Sequence, residues 1–241
     1  MNDKKQPFLS HLEELRKRLI ICAIAVGICF VGAFTFSKKL FGFLTAPLRE
    51  KLPEGSTLIY TNLPEPFFTY LKTAFIAGIL IASPIIFYQL WMFVAPGLYQ
   101  NEKKYIIPFV VSSTILFIGG ALFGYFIVFP FGFEFFLGFD ETLRAFPSVK
   151  QYFSFASTLL LVFGIVFELP VVIFFLTKMG IVTPAFLKKK RKYAILLAFV
   201  IAAILTPPDP ATQCMMAVPL IFLYEVGIIV SRLAVKKKKE D

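Results

Sequence analysis

The sequence is poor in the residues on which most enzyme sites and metal centres depend. Its 241 residues include one histidine, His11, and none of its 14 glycines is directly followed by lysine. One histidine excludes the HExxH metal motif, and the missing Gly-Lys pair excludes a P-loop for nucleotides. The GxSxG motif of serine hydrolases is absent as well. The sequence therefore predicts no enzyme, no bound cofactor and no metal, and any work the protein does must be powered elsewhere.

Cysteine is scarce too. Cys22, Cys29 and Cys214 all fall in apolar segments and show no CxxC spacing. This pattern favours small buried hydrophobes over a disulfide framework or a zinc site.

Acidic residues are outnumbered, with 15 Asp and Glu against 25 Lys and Arg. The cations cluster at the ends of apolar runs and do not form a stripe, so we interpret them as topology signals and expect no nucleic-acid partner. Eighteen of the 25 fall on the side that holds both termini if the chain crosses a membrane six times. The positive-inside rule then predicts that both termini are cytoplasmic.

Long apolar runs dominate what is present. Hydrophobic residues make up 58% of the chain, and 31 residues are Phe. This composition is typical of an all-α polytopic membrane protein, and we expect one domain over residues 1–241. The predicted spans are residues 19–36, 67–95, 106–131, 152–177, 193–205 and 211–233. The last two form a short hairpin, because 13 residues of helix in the fifth span cover only about 20 Å.

Segments outside these spans carry weaker signals. Residues 1–18 predict an amphipathic surface helix that leads into a retained first span, since no small-residue cleavage site follows. Residues 39–48 are amphipathic and predict an interfacial helix, and residues 133–150 predict an external loop. Gly120 and Gly124 in the third span predict close helix packing.

Two acids stand out on the predicted cytoplasmic side, which is otherwise basic. Glu14 has Arg18 at i+4, so a surface ion pair explains it without any functional role. Glu102 follows Asn101 at a predicted helix start, where an acid complements the helix dipole. Spacing alone does not make either acid a site.

Glu168 lies inside the fourth apolar run, two residues before Pro170. An ionisable residue at that depth costs a few kcal/mol at least, so it is either a neutral, hydrogen-bonded structural group or a functional one. Thr206, Asp209 and Gln213 are candidate structural partners. A functional Glu168 would meet a polar residue of a partner's span, or would draw water and thin the bilayer.

Several motifs together resemble the TatC family, the signal-peptide receptor of the twin-arginine translocase. They are SHLEELRKRL (10–19), APL (46–48), SPIIFYQLWMFVAPGLYQNEKK (83–104), FGIVFELP (163–170) and TPPD (206–209). They cover nearly the whole chain in the family's order.

The resemblance implies six spans in a concave bundle in a bacterial inner membrane. It implies export of folded proteins, driven by the proton-motive force, with TatA- and TatB-type single-span partners and self-association in a larger complex. It places the receptor carboxylates on Glu14 and Glu102, which would bind the paired arginines of a signal peptide. A carboxylate accepts a guanidinium through two parallel hydrogen bonds, which a lysine cannot offer.

The resemblance also implies a place for six further residues. Glu168 would face the concavity, while Asp209 and Gln213 would contact partner subunits, although helix capping explains these two equally well. Pro47, Phe93 and Arg16 would be supporting positions, where packing and kinking are sufficient explanations for the first two.

One alternative function remains open at this point. A proton-coupled small-solute transporter could use Glu168 as a relay. Such carriers usually show internal repeats, and none is visible in this sequence.

Overall fold

The structure, a computed structural model, describes residues 5–94, 106–139, 145–205 and 210–238, which are helical almost throughout. The helices are α1 (Lys5–Thr35), α2 (Ser37–Lys51), α3 (Glu65–Val94), α4 (Ile106–Phe123), α5 (Phe129–Leu137), α6 (Val149–Phe167), α7 (Leu169–Lys178), α8 (Pro184–Lys189), α9 (Arg191–Leu205) and α10 (Pro210–Lys238). A π-helical turn, Gly124–Val128, joins α4 to α5. The predicted all-α class is confirmed.

Five helical stretches in the described ranges are long and apolar enough to cross a membrane. They are His11–Thr35, Glu65–Val94, Ile106–Leu137, Val149–Lys178 and Thr212–Val235. The predicted fifth span corresponds to α9, whose 15 residues extend only about 22 Å. Its shortness agrees with the sequence. The predicted sixth span corresponds to Thr212–Val235 of α10, which is long enough to cross a membrane, so only the first of the two hairpin helices is short.

Two predicted boundaries are wrong. The predicted surface helix and the first span form one continuous helix, α1, because the only proline in it, Pro7, lies in the first turn, where proline is tolerated. The third span continues to Leu137 and takes in the start of the predicted external loop. The π turn precedes Pro130 and includes a hydrogen bond from the Phe129 amide to the Gly124 carbonyl, so the helix continues across a residue that lacks an amide hydrogen.

The described chain divides into two compact units. The first lies within Met1–Phe43 and Leu63–Ile115, and the second lies within Leu44–Asn62 and Leu116–Asp241. The division falls inside α2 and inside α4.

In the first unit α1 packs lengthwise on α3. Gly78 allows this approach, since a Cβ there would lie 3.0 Å from the backbone nitrogen of Phe30. Trp91 of α3 stacks on Phe109 with ring centroids 4.8 Å apart, and its indole Nε1 donates to the Ser113 hydroxyl at 3.2 Å. A buried Trp with its N–H paired fixes the rotation of α3 about its axis.

In the second unit α4 and the π turn pack against α6. A Cβ at Gly120 would lie within 3.0 Å of the Phe163 carbonyl group, and a Cβ at Gly124 would contact the Phe163 ring at 3.4 Å. The predicted close helix packing at both glycines is confirmed, because both face the same residue of α6.

The segments that connect the long helices in the second unit bind to each other. The Ile59 amide donates to the Pro147 carbonyl at 3.1 Å, and the Val149 amide donates to the Ile59 carbonyl at 2.8 Å. Beside them the buried Tyr152 hydroxyl donates to the Leu44 carbonyl in α2. The two bonds of Ile59 give hydrogen-bond partners to backbone groups that have none within their own segment.

The C-terminal helices share a small core. Ile173 of α7, Leu187 of α8 and Ile228 of α10 are each at least 93% buried. The Tyr224 hydroxyl donates to the Leu187 carbonyl at 2.9 Å, so one residue of α10 fixes the end of α8.

Candidate functional site

A polar face runs along the contact between α1 and α3 in the first unit. His11, Glu14 and Arg18 fall at i, i+3 and i+7 of α1 and therefore share one side of the helix. Gln89 and Phe93 fall at i and i+4 of α3. The helix contact joins these two sets, and we call the five residues the α1–α3 polar cluster.

The centre of this cluster is the ion pair of Glu14 with Arg18. Arg18 Nε donates to Glu14 Oε1 at 3.0 Å, and Nη2 donates to the same oxygen at 2.5 Å. The Arg18 side chain is 18% exposed, whereas the Glu14 side chain is 35% exposed. The acid is thus the more accessible member of the pair.

Residues of α3 complete the α1–α3 polar cluster. Arg18 Nη1 donates to Gln89 Oε1 at 3.1 Å, so the guanidinium is held from two helices. The His11 ring stacks on Phe93, with centroids 4.4 Å apart and planes 21° apart. Phe93 is half-buried, and the stacked imidazole covers one face of it.

The geometry leaves one side of the carboxylate available. Both Arg18 donors meet Oε1, and no described residue donates a hydrogen bond to Glu14 Oε2. A carboxylate has about four acceptor directions, so Glu14 can take a second guanidinium without losing the first. The arrangement therefore suits a small cationic group that arrives from solvent.

The structure places the other predicted site residues as follows. Glu102 and Asp209 lie outside the described residues. Arg16 is exposed on α1, and Pro47 is buried in the part of α2 that belongs to the second unit. The predicted pairing of Glu14 with Arg18 is present. Glu13 and Lys17 have the same i, i+4 spacing on α1, but they form no ion pair among the described residues.

Glu168 occupies a break in the fourth long helical stretch of the second unit. It is 9% exposed and lies between α6 and α7, where Pro170 starts a new helix in its first turn. The missing amide hydrogen of Pro170 explains why the hydrogen-bond ladder is interrupted here. The buried Glu168 carboxyl group therefore lies where its own helical stretch has lost a backbone donor.

Gln213 lies near the start of α10 and is half-buried. Its Nε2 donates to the Phe199 carbonyl of α9 at 3.2 Å, which links α9 to α10. This contact is a bridge between helices and differs from the helix cap that the sequence suggested.

Reasoning from the sequence missed Gln89 and the buried position of Arg18. The spacing of His11, Glu14 and Arg18 marked one face of α1, and Gln89 and Phe93 marked one face of α3. No feature of the sequence, however, indicated that these two faces meet.

The long helices expose more apolar side chains than a protein surrounded by water normally does. Ile24, Ile28 and Val31 of α1 are 57%, 68% and 65% exposed. Continuous surfaces of this kind belong against lipid or against other membrane helices. Fold and site together define a multi-pass helical membrane protein that carries a half-exposed acid at a helix–helix contact.

Comparison with known proteins identifies the family. Residues 10–219 match the family described as Sec-independent protein translocase protein (TatC). The chain belongs to the TatC family. TatC of Desulforapulum autotrophicum is 54% identical over 99% of this chain and 89% of its own length. TatC of Aquifex aeolicus is 47% identical over 97% and 98%, and that of Escherichia coli K12 is 42% identical over 96% and 90%.

Solved structures agree with this assignment. A crystal structure of the twin-arginine translocase receptor TatC superimposes with a TM-score of 0.84 at 45% identity, covering 93% of this chain and 99% of that one. A second one, solved in the detergent DDM, gives a TM-score of 0.83 at 43% identity.

Proposed function

We propose that this chain is the twin-arginine signal-peptide receptor and scaffold subunit of a translocase that exports folded proteins. The observation that carries the proposal is the accessible Glu14 carboxylate in a chain of the TatC family. Membership of this family favours the receptor over the small-solute transporter that Glu168 alone left open. The relatives are named as translocase proteins, which also supports the prediction that the chain is not an enzyme.

Glu14 and Glu102 would each bind one arginine of the peptide. Because Glu14 is already paired with Arg18, the pair has no net charge and attracts cations only weakly at long range. Recognition at Glu14 then depends on short-range hydrogen-bond geometry. This accounts for a preference for arginine over lysine, because a planar guanidinium can aim two N–H groups at Oε2, as Arg18 does at Oε1, whereas an ammonium group binds as a point charge.

The membrane setting is part of the proposal. We place the chain in a bacterial inner membrane, as the resemblance to the TatC family implies. On the basis of its Lys and Arg distribution, we place both termini in the cytoplasm. Transport would draw on the proton-motive force, as the resemblance to the TatC family implies, and the absence of a P-loop is consistent with a power source outside this chain.

The apolar surfaces of the chain would be covered by TatA- and TatB-type single-span subunits and by further copies of the chain.

Glu168 would be a docking point for a polar residue on a partner's span. Ile165 and Val172 flank Glu168 and are 64% and 46% exposed, so a partner can reach this level of the helix. Cysteines at these two positions should form disulfides with a partner helix. A complete lack of crosslinks under every transport condition would count against docking. Asp209 and Gln213 would also contact partner subunits.

The experiment for the receptor role measures binding of a fluorescent twin-arginine peptide to the purified full chain in lipid nanodiscs. The variant at Glu14 should be Glu14→Gln, because alanine would leave the mostly buried Arg18 cation without an acceptor. We expect Glu14→Gln and Glu102→Gln each to weaken binding about tenfold or more, since a hydrogen bond to a charged group contributes about 1.5 to 3 kcal/mol.

Glu13→Gln is the matched control. It removes the same charge from the exposed neighbour of Glu14 and should leave binding within about twofold. Equal binding by the parent and by both variants, or equal binding of twin-arginine and twin-lysine peptides by the parent, would disprove the proposal.

A further inference from the structure

Arg18 is the least expected member of the α1–α3 polar cluster. A receptor for cationic peptides gains nothing electrostatically from a cation placed against its acid, because that cation repels the incoming one. Yet Arg18 is more buried than Glu14 and forms three hydrogen bonds, two to Glu14 and one to Gln89. Its side chain is therefore held in one place by two helices.

The direction of these bonds matters more than their number. A guanidinium that pairs side-on with a carboxylate usually engages both oxygens, one with each N–H. Here both donors meet Oε1, and Nη1 turns away to Gln89. The carboxylate is thereby fixed at one oxygen, while Oε2 keeps its acceptor directions among the described residues.

We infer that Arg18 is a positioning residue that, anchored by Gln89, fixes the Glu14 carboxylate so that Oε2 is presented to the incoming arginine of the signal peptide. This inference rests on the proposed receptor function and adds its internal arrangement. Gln89 is the anchor because its amide oxygen, carried by a different helix, sets the angle of the guanidinium plane. A carboxylate held in this way loses less side-chain freedom when the peptide binds.

Positioning, competition and simple electrostatics predict different results for variants that keep the charge of the cluster. If charge alone mattered, such variants would bind the peptide as the parent does. If Arg18 competed with the peptide for Glu14, a weaker contact between Arg18 and Glu14 would strengthen binding. If Arg18 positions Glu14, loss of its geometry weakens binding although no charge has changed.

The test uses the full chain in lipid nanodiscs with fluorescent twin-arginine and twin-lysine peptides. Arg18→Lys keeps the charge but loses the three-bond geometry, and Gln89→Leu removes the anchor without any change of charge. Both variants should bind the twin-arginine peptide about two- to tenfold more weakly, which corresponds to the cost of ordering one long side chain. Both should also lose preference for arginine over lysine, a ratio that a general loss of folded protein does not change.

Lys17→Gln is the matched control, since it alters charge on the exposed side of the same helix. Thermal unfolding of each variant shows whether the fold is intact, and Gln89→Leu provides an answer even if Arg18→Lys does not fold. Unchanged or tighter twin-arginine binding by folded Arg18→Lys and Gln89→Leu would overturn the inference. If the parent chain itself does not prefer arginine, the receptor function fails first, so the two failures are distinguishable.

Discussion

The packing of α4 on α6 gives a sharp prediction, because the chain places two adjacent glycines in different surroundings. A methyl group at Gly120 would lie within 3.0 Å of the Phe163 carbonyl carbon and oxygen and of the Phe167 Cβ. Two of these atoms are backbone, so no rotamer change relieves the clash and the helices must separate. A methyl group at Gly119 meets nothing within 4 Å.

The difference in stability between the Gly120→Ala and Gly119→Ala variants measures the cost of the clash. Both substitutions gain about 1 kcal/mol of helix propensity, and this gain cancels in the comparison. Overpacking costs about 1 to 3 kcal/mol and more where backbone cannot move. At about 2 to 4 °C per kcal/mol for a chain of this length, Gly120→Ala should unfold about 2 to 12 °C below Gly119→Ala.

The assay is thermal unfolding of the purified variants in one detergent, followed by intrinsic fluorescence. Gly164→Ala should fall between the other two, because its methyl group meets mainly the Phe117 ring, which can rotate. Equal midpoints for Gly119→Ala and Gly120→Ala would refute the argument that α4 and α6 are in backbone contact at this point.

Two further predictions concern the second unit. Tyr152→Phe removes a buried hydrogen bond to the Leu44 carbonyl and should destabilise the protein by about 0.5 to 1.5 kcal/mol, whereas Tyr60→Phe at an exposed site should have no effect on the unfolding midpoint. Arg191 and Glu225 form an ion pair whose side chains are 47% and 39% exposed. A double-mutant cycle should therefore give a coupling energy below about 1 kcal/mol. A larger coupling energy would mean that the pair is shielded from water.

The class of the fold could be predicted because long apolar runs have few structural solutions. A bilayer requires helices of about 20 residues, so α3 and the stretch that contains α6 and α7 could be located within a few residues. The end of the third span could not, since Pro130 and Gly132 look like a loop signal in the sequence. Whether a helix continues past a proline depends on local adjustments such as the π turn, and composition does not reveal them.

The candidate site was predictable in part for a related reason. Helical spacing groups Glu14 with Arg18, so their pairing within one helix follows from the sequence. Gln89 is 71 residues from Arg18, and their contact depends on which faces of α1 and α3 meet. That choice is made by Gly78 and Trp91, whose packing partners lie on other helices. Glu168 could be recognised as exceptional from its depth alone, but its partner could not.

Residues 44–62 are synthesised well before the residues of the second unit that they contact. Lys51 is joined to Glu134 at 2.8 Å, and Leu44 is joined to Tyr152, so this early segment belongs to a unit whose remaining residues are synthesised much later. At a translation rate of about 5 to 20 residues per second, Tyr152 leaves the ribosome roughly 5 to 18 seconds after Asn62. During that interval the Leu44 carbonyl lacks its Tyr152 partner. A gene fragment that begins at Leu116 would encode the long helices of the second unit but not residues 44–62, which contact them. We expect that this fragment does not fold into the second unit alone.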